Sequence, residues 1–153
     1  MPERPSEAKP LDADLDLRID DLRAVVARVL SEGPEIVAAY VFGSRVAGRP
    51  LPSSDLDLAF VSRTEADLTE DPLLAERLTA RIAAELRTSV EIDGHLAARL
   101  PLNVRGRVVT EGILLYDADP EGRVDFETST RRLYFDFLPF IERDAREALL
   151  RGG

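Results

Sequence analysis

Residues 40–61 read YVFGSRVAGRPLPSSDLDLAFV. An apolar run ends on Gly43-Ser44, a stretch rich in proline and serine follows, and the next apolar run opens with Asp55 and Asp57. The first run, IVAAYVF over 36–42, is short and almost continuously apolar, which predicts a strand buried on both faces. Residues 49–54, RPLPSS, predict a loop. DLDLAFV over 55–61 alternates and then turns apolar, so a second strand is expected there. At i and i+2 on a strand, the carboxylates of Asp55 and Asp57 point to one face. That face is expected to be the solvated one, because two uncompensated charges are costly to bury.

Paired carboxylates at this spacing suit Mg²⁺, a hard cation that takes one or two carboxylates together with substrate phosphates and water. A strand with one wet face also produces D-x-D, so the pair alone does not make a site. Gly43 allows a sharp turn and a close approach of a ligand to the backbone. Ser44 opens SRVAG, about one helical turn whose free N–H groups and hydroxyl can face a phosphate. A tight turn with a serine cap is the competing reading. Residues 43–48 also spell G-x-x-x-x-G, but Arg49-Pro50 stands where a phosphate-binding P-loop needs Lys and Ser/Thr, which rules that motif out.

Outward from this stretch, Leu15, Ile19, Leu22, Val26 and Val29 recur at three- and four-residue steps and predict a helix over 15–31, stopped by Gly33-Pro34. Asp71 as cap and Pro72 at the first helical position open a helix over 72–87, with Leu74, Leu78, Ile82 and Leu86 on one face. SVEIDGHL over 89–96 predicts a third strand that Gly94 ends or bulges. A helix from Pro101 to Glu111 closes at Gly112, ILLY follows as a short strand, and 124–150 is helical again, with Pro139 a kink or break. The expected architecture is α/β (α+β): a small mixed sheet of about four strands flanked by helices, with a C-terminal helical tail. One domain over 14–150 follows a disordered arm over 1–13, MPERPSEAKP and its neighbours, which lacks the apolar segment of a signal peptide.

Composition narrows the function. The 153 residues carry a net charge of -9, so broad nucleic-acid binding is not expected. No apolar run reaches the roughly 20 residues of a membrane span. With no cysteine there is no disulfide or thiolate chemistry, and a cytoplasmic protein is the default. An acidic chain can still hold a nucleotide, since one site needs only a few donors and a metal ion.

FGSRVAGRPLPSSDLDLAF resembles the signature of the nucleotidyltransferase superfamily typified by DNA polymerase beta. The G-S-R-x-x-G form and the chain length are similar to its minimal branch, the MntA-like nucleotidyltransferases. At lower specificity the resemblance extends over most of residues 15–145, including a Tyr-x-Asp-Phe-like tail in YFDFLPF (134–140). It implies that Gly43 and Ser44 contact the nucleotide and that Asp55 and Asp57 bind Mg²⁺; Arg45 either reaches a phosphate or is an exposed arginine on a short helix. A third carboxylate comes from the next strand, where Glu91 and Asp93 share parity; Asp93 is preferred, since the family uses Asp and its spacing to Pro101 fits better. Two Mg²⁺ ions and ATP are implied, with Asp93 as candidate base.

The resemblance also implies a partner. Small members of this branch pair as antitoxins with HEPN-domain toxins and transfer AMP to a toxin tyrosine. The R-x(4–6)-H pattern of HEPN ribonucleases is absent, because no arginine occupies 88–90 ahead of His95; this chain resembles the antitoxin. His95, the sole histidine, needs no function at a strand end. Four of the six phenylalanines lie between Phe126 and Phe140, where they either close the core or form a docking surface. Two alternatives stay open: an antitoxin that neutralises by binding alone, and transfer to a small hydroxyl compound such as an aminoglycoside.

Overall fold

Strand β1, Ile36–Phe42, is buried along its whole length, as a continuous apolar run requires. The computed structural model of the chain describes residues 19–43, 56–64, 71–88 and 90–151. Around β1 stand β2 (Leu56–Ser62), β3 (Ile92–Leu96) and β4 (Ile113–Asp117), in the order β3-β2-β1-β4. β1 runs antiparallel to both β2 and β4, whereas β2 and β3 are parallel, so the sheet is mixed. The expected α/β architecture with four strands is observed. The 1–13 arm and residues 15–18 of the first predicted helix lie outside the described residues.

Helices cover both faces. α1 (Ile19–Leu30) buries Leu22, Val26, Val29 and Leu30, the face its periodicity predicts, and carries Asp20 and Asp21 in its first turn, where the helix dipole favours negative charge. α2 (Leu74–Leu86) packs beside it, and together with Leu56, Leu58, Phe60 and Leu96 they form the larger core. α3 (Leu102–Glu111) and α4 (Pro120–Arg151) cover the other face over a second core containing Tyr40, Phe42, Ala59, Val61 and Val108. The start of α4 is stitched to the sheet: Tyr40 Oη donates to Glu127 Oε1 at 2.6 Å, and Arg123 donates to both Glu127 and Asp117.

Several expectations need correction. The face that carries Asp57 is not solvated along the strand: Ala59 and Val61 share it and are buried beneath α3 and α4. Asp57 is half-buried at the margin of that second core, so it keeps access to solvent without a wet face. Pro72 is not the first helical position. Pro72 and Leu73 form a turn, in which Asp71 Oδ1 accepts from Leu73 N and Asp71 O accepts from Leu74 N. Gly94 neither ends nor bulges β3 but lies inside it. Finally, Pro139 does not break the last helix, which is assigned as one element of 32 residues.

Candidate active site

β2 and β3 meet in parallel register with Asp57 opposite Asp93, and Leu56 N donating to Glu91 O at 2.9 Å locks that register. Successive side chains alternate across a sheet. Ile92 and Leu96 of β3 therefore pack into the larger core on the α2 side. Asp93 and His95 project to the opposite side, where Asp57 lies. One ligand-type atom from each of Asp57, Asp93 and His95 lies within 4.8 Å of the others. His95 Nε2 stands 3.2 Å from Asp93 Oδ2. Asp93 is exposed, whereas Asp57 and His95 are partly covered.

Gly43 reaches this group from β1. It follows Phe42, which pairs with Asp57 across the antiparallel ladder. Its φ is +99°, in the left-handed region that side chains disfavour, and a Cβ placed there would lie 2.6 Å from Asp57 Oδ2. The backbone at Gly43 thus lies hard against the carboxylate, and a side chain there would be strained and would displace it. Gly94 acts on the other side of β3: a Cβ there would fall 1.8 Å from Thr79 Oγ1, so its bareness lets α2 approach the sheet. Between α2 and β3 a groove of about 390 Å³, lined by Ala80, Ala83, Ile92, Asp93 and His95 among others, opens beside the cluster.

Of the residues singled out from sequence, Gly43, Asp57 and Asp93 are brought together. Ser44, Arg45 and Asp55 lie outside the described residues. Glu91 stands outside β3 and outside the cluster, with its main-chain oxygen engaged by Leu56; its side chain is exposed. The sequence reading passed over His95, although Asp93 and His95 are two apart on one strand and must share a face. Two carboxylates and an imidazole so placed are a donor set that fits a divalent cation, and the carboxylate oxygens suit Mg²⁺. Among the described residues no helix is long and apolar enough to cross a membrane.

Comparison with known proteins places the fold. The family model for the polymerase beta nucleotidyltransferase domain matches residues 25–121. No curated protein sequence matches the chain. Among solved structures, a toxin–antitoxin with AMP-PNP is similar at TM-score 0.63 and 19% identity, over 87% of this chain and 99% of that one. The MNT antitoxin in complex with tri-AMPylated HEPN toxin from Shewanella oneidensis aligns at TM-score 0.64 and 17% identity, over 86% of this chain and 99% of that one. The MntA–HepT toxin–antitoxin aligns at TM-score 0.61 and 17% identity, over 86% and 99%. At such identities the likeness establishes the fold.

Proposed function

This chain belongs to the polymerase beta nucleotidyltransferase family, and from that premise we propose that it is an Mg²⁺-dependent adenylyltransferase that moves AMP from ATP to a tyrosine hydroxyl of a HEPN-domain toxin, as its antitoxin. The observation that carries the proposal is the facing pair Asp57 and Asp93, set on adjacent parallel strands with Gly43 pressed against the first. The likeness to antitoxins solved with their toxins, one beside AMP-PNP and one beside an AMPylated toxin, supports the choice of acceptor.

In the proposed reaction the acceptor oxygen attacks the α-phosphorus of ATP, the bond to pyrophosphate breaks, and the hydroxyl proton passes to Asp93. Asp93 suits this role because it is exposed and faces Asp57 across adjacent strands. Gly43 gives the triphosphate close access to main-chain N–H groups, and Ser44 adds its own N–H and hydroxyl. Asp55, Asp57 and Asp93 would hold Mg²⁺ in two positions, where the cation supplies charge neutralisation for the triphosphate and the leaving pyrophosphate. The protein's own contribution is positioning and fixed charge, with no covalent intermediate.

Incubation with α-labelled ATP and Mg²⁺, with and without a candidate HEPN-domain partner, tests the reading. Label is expected on the partner tyrosine, and Asp57→Asn is expected to fold normally yet lose transfer by at least about 10²-fold, the scale of removing a preorganised electrostatic contact. Full activity in that variant, or complex formation with no label, would sink the catalytic reading and favour neutralisation by binding.

A further inference from the structure

The cluster contains a group for which the proposed chemistry has no use. His95 Nε2 lies on the same side of the sheet as both carboxylates and 3.2 Å from Asp93 Oδ2. Ligands at right angles around a cation with bonds of about 2.1 Å are separated by about 3.0 Å, so this spacing matches two neighbouring positions of one coordination sphere. All three residues offer atoms within 4.8 Å of one another, close to the span that such a sphere requires. β3 cannot aim Asp93 at the site without aiming His95 there too, because the two stand two residues apart on one strand.

From this geometry we infer that His95 Nε2 is a direct nitrogen ligand of the divalent cation held by Asp57 and Asp93. The inference rests on the nucleotidyltransferase reading of the site and deepens it. Its consequence is a change in cation preference. A site of carboxylates alone suits Mg²⁺, whereas an imidazole donor favours first-row transition ions, so this chain binds Mn²⁺ in preference to Mg²⁺ by more than an all-oxygen site would.

His95 is the only histidine in the chain, which makes the test unambiguous: an imidazole nitrogen coupled to a bound ion can come from nowhere else. The tag-free full-length protein is titrated with Mn²⁺, alone and with inorganic triphosphate, which contains no nitrogen. Bound Mn²⁺ is then read by electron spin-echo envelope modulation. The expected result is nitrogen modulation in the unaltered protein and its loss in His95→Gln. That variant should keep its circular dichroism and lose at least about tenfold in Mn²⁺ affinity, a penalty that even an outer-shell partner of a metal ligand can carry. Its Mn²⁺ over Mg²⁺ preference should narrow as well. Mn²⁺ bound without nitrogen modulation would overturn this inference alone, leaving His95 as a hydrogen-bond partner of Asp93. No Mn²⁺ bound under either condition would overturn the metal-dependent function together with it.

Discussion

A methyl group at Gly43 would have to occupy φ +99° and lie 2.6 Å from Asp57 Oδ2. Gly43→Ala is therefore expected to cost about 1–2 kcal/mol of stability from the backbone alone. It should also lower transfer far more than the lost stability explains, because the carboxylate must move aside. Urea unfolding and the labelled-transfer assay on the same preparation check this; unchanged transfer would reduce Gly43 to a turn residue. Tyr40 offers a second measurement. Burial, and then the Glu127 carboxylate to which it donates, push its phenol above the ordinary value of 10.0. The folded chain holds the neutral phenol while the unfolded chain ionises, so this contribution is intact below pH 10.0 and fades as pH rises past it. Tyr40→Phe is expected to cost about 1 kcal/mol at neutral pH and to flatten the fall in urea midpoint between mildly and strongly alkaline buffers. At this scale the sequence was legible where residue type limits the backbone, as at Gly43. It was opaque at His95, whose two neighbours in space come partly from another strand.

Among the elements, β1 was readable to its ends because a strand buried on both faces leaves an uninterrupted apolar run. The face of β2 was misread for a related reason. Alternation shows which residues share a side, but not whether α3 and α4 will later cover it. Gly94 shows the same limit: its constraint is Thr79 on α2, a contact that nothing in the local sequence announces. Gly94→Ala is expected to cost about 1–3 kcal/mol by overpacking, since Thr79 is buried and its hydroxyl donates to Ala75 O. Adding Thr79→Ala should recover part of that loss, because it removes the oxygen the new methyl would strike. Thermal unfolding of the two single variants and the double variant gives the coupling, and strictly additive losses would refute the contact as the cause. α4 was also longer than its proline suggested: Pro139 removes one N–H from the ladder, and the remaining turns carry the helix through.

Seen whole, the molecule has one element out of proportion. α4 is about 48 Å long at 1.5 Å per residue, roughly twice the about 23 Å of β1. Its first half is anchored by Thr130, which is buried, by Arg131 donating to Val109 O, and by Tyr134 against Gly106. Beyond that, Phe135, Phe137 and Phe140 are 56%, 48% and 51% exposed, and Arg143 lies over the Phe140 ring. Of the two readings of these aromatics, Phe126 follows the first and packs on the second core, while the other three face outward. They leave an exposed apolar face on the second half of the helix, and the antitoxin reading predicts that the partner docks there. Phe137→Glu with Phe140→Glu should abolish complex formation in size-exclusion chromatography while leaving the unfolding free energy from urea titration within about 0.5 kcal/mol of the parent, the usual range for surface changes. Retained binding would place the partner elsewhere. The sheet order carries a last implication. β3 is outermost and, among the described residues, pairs on one side only, yet it bears Asp93 and His95, while Asp57 sits on the inner β2. Edge segments open at lower free energy than the domain unfolds. Local opening of these five residues would separate Asp93 and His95 from Asp57 while the β1–β2 and β1–β4 ladders stayed paired.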